Sequence, residues 1–173
     1  MAVLGKYVFT ADYDSVESDA ALHDPLSHKI TLADDFLQLY PTVLRHVLTD
    51  MHFVIRDRMG RLISFMANAI NRGWTPRGFA CNEKTAVLLS PSTGIGVVVG
   101  TGPAFALSYQ SNPSVLESHT PLTWSNVTVQ RLEVGDSFSF VTFKALRAST
   151  LTYSLSVDDG VLTSSNGYIY GKQ

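Results

Sequence analysis

The sequence of 173 residues contains one cysteine, Cys81, so it can form neither an internal disulfide framework nor a cysteine-rich zinc site. Charge is also scarce. Only 16% of the residues are charged, below the roughly 25% of an ordinary soluble domain, and a net charge of −2 without a basic block excludes the footprint of a nucleic-acid-binding surface. No run of about 18 apolar residues exists to cross a bilayer as a helix. The segment from Met1 to Gly5, followed by Lys6, lacks the apolar core of a signal peptide. These absences lead to the expectation of a soluble, cytoplasmic chain with no membrane partner. A Gly-x-Ser-x-Gly elbow is missing too, so no serine nucleophile announces itself.

Hydrophobic residues, by contrast, make up 45% of the chain. One domain with a sizeable core is expected over residues 1–173. From Ala11 to Asp35 the text is acidic and polar without a clean period, which reads as a long surface loop. From Val47 a short apolar run suggests a buried strand that delivers Asp50 and His52 at its end. Met59, Leu62, Ile63, Met66 and Ile70 then recur at helical spacing, with Asp57 placed to cap the start and Gly73 the end. Beyond Trp74, β-branched and aromatic runs alternate with turn residues. Strands are expected at 78–81, 85–89, 96–99, 104–109, 128–134, 137–143 and 151–157, most of them in an antiparallel meander.

Two tempting motifs fail on context. The glycines of "GIGVVVGTG" are followed by another strand pattern, whereas a phosphate-cradling loop must open a helix. Hairpin glycines are the better reading. His46 and His52 with Asp50 could suggest a metal site, but their offset does not match helical ligand pairing and no third ligand follows at a recognisable spacing. No metal and no cofactor are therefore expected. His23, His28 and His119 lie in loop-like text and should face solvent.

The run "TDMHFVIRDRMGRL" is harder to set aside. Arg56, Arg58 and Arg61 lie close together, and like charges at such range repel by about 2 to 3 kcal/mol per close pair at an effective dielectric near 20. Asp50 and Asp57 offset part of this. The plain alternative is an exposed helix start with an Asp57–Arg61 pair one turn apart. Arg58 and Arg61 share a helical face, however, and Arg56 sits just ahead of it beside His52, which favours a pocket for an anionic substrate. If His52 is a general base it needs an orienting carboxylate and a nucleophile. Glu83, at the end of the strand-like "GFACN", suits the first role. Cys81 does not suit the second, because it sits in an apolar strand where an inert buried thiol is expected.

"DMHFVIRDRMGRL" followed by "GFACNEKTAVLL" resembles the cyanophycinase family of serine peptidases, in which an Asp-x-His-Phe segment precedes an arginine-rich helix start and a later strand ends in Glu. "PLTWSNVTVQRLEVGDSF" is similar to the C-terminal strand pair of that family. "MAVLG" is similar to the helix behind its Gly-x-Ser-Ala-Gly elbow. The loop at 11–35 and the tail after Lys144 are covered weakly.

The resemblance implies an α/β fold: part of a Rossmann-like, glutamine-amidotransferase-like three-layer core followed by an antiparallel β extension. It further implies a Ser-His-Glu triad with His52 as base and Glu83 as orienter, the serine and first strands lying upstream of Met1. Asp50, Met51, Arg56, Arg58 and Arg61 would line the substrate pocket. The implied partner is a peptide bearing aspartyl groups, either β-linked aspartyl-arginine polymer or related aspartyl and isoaspartyl peptides, and the arginines would clamp its carboxylates. Met51 stands where polymer-cleaving members carry a glutamine, which removes a hydrogen-bonding group from the pocket. On this reading the chain alone is inactive, and apolar surface left by the missing strands would favour a homodimer. The competing expectation is a non-catalytic binding protein that keeps the pocket without the serine.

Overall fold

The computed structural model describes residues 5–34 and 42–172 of the chain. In chain order the strands are β1 (Tyr7–Phe9), β2 (Leu32–Asp34), β3 (Val47–Asp50), β4 (Arg77–Cys81), β5 (Thr85–Ser90), β6 (Ile95–Gly100), β7 (Ala104–Ser108), β8 (Trp124–Leu132), β9 (Ser137–Ser139), β10 (Lys144–Ala145), β11 (Leu151–Asp158) and β12 (Val161–Ser164). The α-helices are α1 (Ser18–His23) and α2 (Met59–Asn71).

β3 and β4 pair in parallel, Val47 beside Arg77 through Asp50 beside Ala80. Parallel neighbours cannot be joined by a hairpin, and α2 makes the return. β1 adds in parallel to β3, and β2 closes that edge antiparallel to β1. On the other side β7, β8, β11 and β12 continue antiparallel, giving an eight-stranded mixed sheet in the order β12-β11-β8-β7-β4-β3-β1-β2. The β5–β6 hairpin leaves this sheet and joins β9 and β10 in a second, antiparallel sheet ordered β10-β9-β6-β5. The protein is thus α/β, with few helices, a large mixed sheet and a smaller antiparallel one.

Strand alternation divides the core between the two faces of the large sheet. Leu48, Ala80, Phe105, Leu107, Val127 and Val129 face the helical side and pack with Leu62, Ile63 and Met66 of α2. Val47, Phe79, Cys81, Ala104 and Ala106 face the opposite way, toward Phe138, Phe140 and Phe143. Cys81 is buried as expected, and desolvation pushes its thiol up to about 12.

The strand expected from Val47 and the α2 helix are present, as are the seven strands expected beyond Trp74, although the one expected at 137–143 is strand only over Ser137–Ser139; Gly73, at φ 79°, ends α2 with its N–H on the carbonyl of Ile70. Three expectations need correction. The meander is split between two sheets, because the hairpin that follows β4 turns away from it. Asp57 does not cap α2: the residue at that position is Arg58, whose side chain makes no capping hydrogen bond.

The described part of the acidic segment, up to Asp34, is not an open loop. It contains α1 and β2, which lean on α2: the Asn68 amide donates to the Pro25 carbonyl at 3.0 Å and Arg72 to the Leu32 carbonyl at 2.8 Å. Helix α2 is consequently buried from Met59 to Ala69 all round, polar Ser64 and Asn68 included. A six-residue helix is too short to show a period of its own, and tertiary contacts hold it.

Gly100 fixes the crossing from the large sheet into the hairpin. Its φ is 114°, and a Cβ there would lie 2.1 Å from the Lys84 carbonyl oxygen. Because that obstacle is backbone, Gly100→Ala is expected to lose at least about 2 kcal/mol of stability, read as a lowered urea midpoint at unchanged slope; an unchanged midpoint would contradict the geometry.

Candidate functional site

β3 and β4 end side by side, and the chain leaving each supplies one member of the site. After Asp50 and Met51 the backbone enters a left-handed conformation at His52, φ 51°, and turns through Asp57, φ 45°, into α2. The turn is tied internally by the Arg56 amide on the His52 carbonyl at 3.2 Å and the Arg58 amide on the Phe53 carbonyl at 2.9 Å. It is tied to β4 by the Phe53 amide on the Cys81 carbonyl at 3.4 Å and by the Val54 amide on the Asn82 side-chain oxygen at 3.2 Å. Glu83 follows Asn82 directly, and the next residue, Lys84, is again left-handed.

His52 and Glu83 are brought together. Nδ1 of His52 lies 3.5 Å from Oε1 of Glu83, with side-chain exposures of 35% and 44%. That separation is longer than a charge-assisted hydrogen bond, and among the described residues the shielded Nδ1 atom has no other hydrogen-bond partner. Such a ring nitrogen, when it carries the proton, is satisfied by a carboxylate at hydrogen-bond range, and Glu83 is the acidic side chain beside it. Such bonds commonly tighten only when substrate is present. Among the described residues, no serine, threonine or cysteine side chain hydrogen-bonds Nδ1 of His52.

The arginines divide into three environments. Arg61 is sunk beside Asp50 in a two-point ion pair, Nε to Oδ2 at 2.7 Å and Nη2 to Oδ1 at 2.5 Å, with side-chain exposures of 8% and 4%. The Arg61 guanidinium also lies over the rings of Phe9 and Phe65. Arg58, one turn earlier, donates to the Met51 carbonyl at 2.8 Å and stands 3.6 Å from Asp50. Burial, and then the neighbouring Arg61 charge, pull the pKa of Arg58 below its ordinary value, while Asp50 opposes them. Arg56 is exposed.

The pocket lining expected of Asp50 and the carboxylate clamp expected of Arg61 therefore meet a different geometry: these two groups engage each other, with the Met51 amide also on Asp50 at 2.8 Å. The alternative Asp57–Arg61 pairing is not formed, since Asp57 instead accepts a hydrogen bond from the Tyr170 hydroxyl at 2.8 Å. Met51 is half-buried and contributes its backbone to this network.

His46 and His52 lie at opposite ends of β3, which separates the two imidazoles considered as metal ligands. His46 shares a hydrogen bond with the Thr75 hydroxyl at 2.9 Å and lines a cavity of about 300 Å³ with Arg45, Arg77 and Phe140. Burial and then the charges of Arg77, Arg45 and Lys6 lower its pKa. His23, His28 and His119 are exposed as anticipated. Sequence reasoning missed Asn82, Ser18 and Tyr170. Ser18 donates to the Asp57 carbonyl and accepts the Arg61 amide at 3.1 Å. Asn82 was readable in principle, as a polar residue ahead of Glu83 at a strand end. Ser18 and Tyr170 reach the site only through long-range packing.

Replacing Asp50 by Asn keeps the shape but leaves the Arg61 charge buried without its counter-ion, and is expected to destabilise the fold by about 3 to 5 kcal/mol; equilibrium unfolding within experimental error of wild type would refute the tether. The Cys81 thiol should resist an aromatic disulfide reagent at mildly alkaline pH in the folded protein and react fully in denaturant, rapid native labelling being the contrary result. Comparison with protein-family models and with curated proteins finds no match for the chain.

Proposed function

We propose that this chain carries the general base and the orienting carboxylate of a cyanophycinase-like serine peptidase that hydrolyses aspartyl or isoaspartyl peptide bonds. The observation that supports it is the approach of His52 to Glu83 at 3.5 Å where the parallel strands β3 and β4 end. Ligand and catalytic groups in α/β sheets collect at the carboxyl ends of parallel strands. On this reading β1, β3, α2 and β4 belong to a Rossmann-like, glutamine-amidotransferase-like core, and the smaller sheet is the family's β extension.

The chemistry follows from the pair. Glu83 holds the Nδ1–H tautomer, leaving Nε2 free to take the proton of a serine hydroxyl. The serine is proposed to lie in a Gly-x-Ser-Ala-Gly elbow ahead of Met1. Its oxygen attacks the substrate carbonyl, and the protonated His52 then gives its proton to the departing amine as the acyl-enzyme forms. Water, deprotonated by the same imidazole, releases the acid product. Substrate carboxylate recognition falls to Arg56 and Arg58 in this proposal, because Arg61 is engaged by Asp50.

The test uses the intact protein with short aspertyl-type substrates, that is, β-aspartyl and α-aspartyl dipeptides, alongside the aspartyl-arginine polymer. His52→Ala is expected to lower kcat by at least about 10⁴-fold and Glu83→Gln by about 10² to 10⁴-fold, with KM little changed. Undiminished turnover in His52→Ala would end the peptidase reading. Wild-type protein that binds aspartyl peptides without cleaving them would support instead a non-catalytic protein retaining the pocket.

A further inference from the structure

After β12 the chain folds back beneath the large sheet as a strap. The Asn166 side-chain amide donates to the Gly171 carbonyl at 3.0 Å, and the Tyr153 hydroxyl donates to the Ile169 carbonyl at 2.8 Å. Lys172 pairs with Glu133 at 2.8 Å. These anchors deliver one side chain, Tyr170, to the turn that carries His52.

Tyr170 meets that turn at both ends. Its ring stands edge-on to Phe53, the residue directly after His52, at 5.9 Å and to Phe105 at 5.8 Å. Its hydroxyl accepts the Met59 amide at 3.2 Å and donates to the Asp57 carboxylate at 2.8 Å. Desolvation raises the pKa of the phenol, with the Asp57 carboxylate adding to the effect against the Met59 amide. The phenol therefore keeps its proton, and the direction of the bond to Asp57 is fixed.

The turn needs such support. It begins and ends on non-glycine residues in the left-handed region, His52 and Asp57, and conformations of that kind persist only where the surroundings over-determine them. The internal bonds of the turn fix its curvature. Where the turn sits relative to Glu83 is set at its first residues by the Phe53 and Val54 amides on Cys81 and Asn82, and toward its far end by the Tyr170 hydroxyl on Asp57 and Met59.

We infer that Tyr170 is a positioning residue for His52: by gripping Phe53 and Asp57 together, the C-terminal strap sets the imidazole toward Glu83. The inference deepens the peptidase reading and rests on it for the catalytic consequence, but the placement of His52 can be measured separately.

The experiment compares wild type with Tyr170→Phe, Asp57→Asn and, on the exposed part of the same strap, Tyr168→Ser. Imidazole resonances are followed through a pH titration by NMR, with His52 assigned from the spectrum of His52→Ala, and kcat and KM are measured on a β-aspartyl dipeptide. Tyr170→Phe keeps the ring and should fold. It is expected to move the His52 resonances and titration midpoint and to lower kcat by about 10- to 100-fold with KM within about twofold. Asp57→Asn should act in the same direction, and Tyr168→Ser should do neither. His52 signals and titration that superimpose on wild type in both Tyr170→Phe and Asp57→Asn would overturn the inference. An intact wild type, proposed elbow serine included, that shows no turnover while its His52 signal still shifts in Tyr170→Phe would sink the peptidase reading and uphold the positioning role.

Discussion

A carboxylate and a guanidinium meet in the interior at Asp50 and Arg61, and the arrangement around them follows from the need to keep both charged and paired. Removing either ion from water is unfavourable by several kcal/mol, and only a well-formed pair with its remaining valences bonded offsets that. Asp50 satisfies the condition with Arg61 at two points, the Met51 amide at a third and Arg58 nearby. The end of β3 and the first turn of α2 are thereby locked in register. Neither element can slide along the other without exposing a bare charge to the core.

The lock has consequences for the residue between them. With Arg61 fixed on Asp50, Arg58 on the preceding turn reaches the Met51 carbonyl. The peptide leading into His52 is then held on one side by Arg58, while Asn82 and Cys81 hold the chain just beyond it. A backbone forced to connect two such fixed points within a few residues has little choice but the left-handed step seen at His52. Glu83 arrives opposite because it follows Asn82, whose side chain already bonds the turn. The close approach of Gly100 to the Lys84 carbonyl keeps the chain leaving Glu83 in place.

Much of this was legible in the residues. A four-residue apolar strand that ends in Asp50 and a helix marked by Met59, Leu62, Ile63 and Met66 follow from periodicity, which sees local structure. The proximity of His52 to Glu83 was also foreseeable, since parallel strands joined by a helix deliver their carboxyl ends to the same side. What periodicity could not see was pairing. Asp57 and Arg61 fit a helical salt bridge by spacing, yet Arg61 goes to Asp50, because a two-point bond inside a nonpolar shell outweighs an exposed one-turn pair worth a few tenths of a kcal/mol. The fold of the acidic segment was hidden for a related reason. Its helix α1 is stable only against Gly60, where the missing side chain lets Leu22 and Ser18 approach.

The division among the arginines changes what the cluster can do. Three guanidinium groups in one short run suggested three anchors for an anionic ligand, but one of them is neutralised by Asp50 and serves the scaffold. Arg58 is intermediate: bound to the Met51 carbonyl, with its charge disfavoured by burial and by Arg61, it gains most from any additional negative group brought close. Arg56, exposed at the far side of the turn, can steer such a group from solvent. Of the three arginines in this run, Arg61 serves the scaffold, and on the proposed reading the two left incompletely matched attract the anion. On the proposed reading, this places carboxylate recognition on the same turn that holds the imidazole, so that substrate binding bears directly on the closure of Glu83 onto His52.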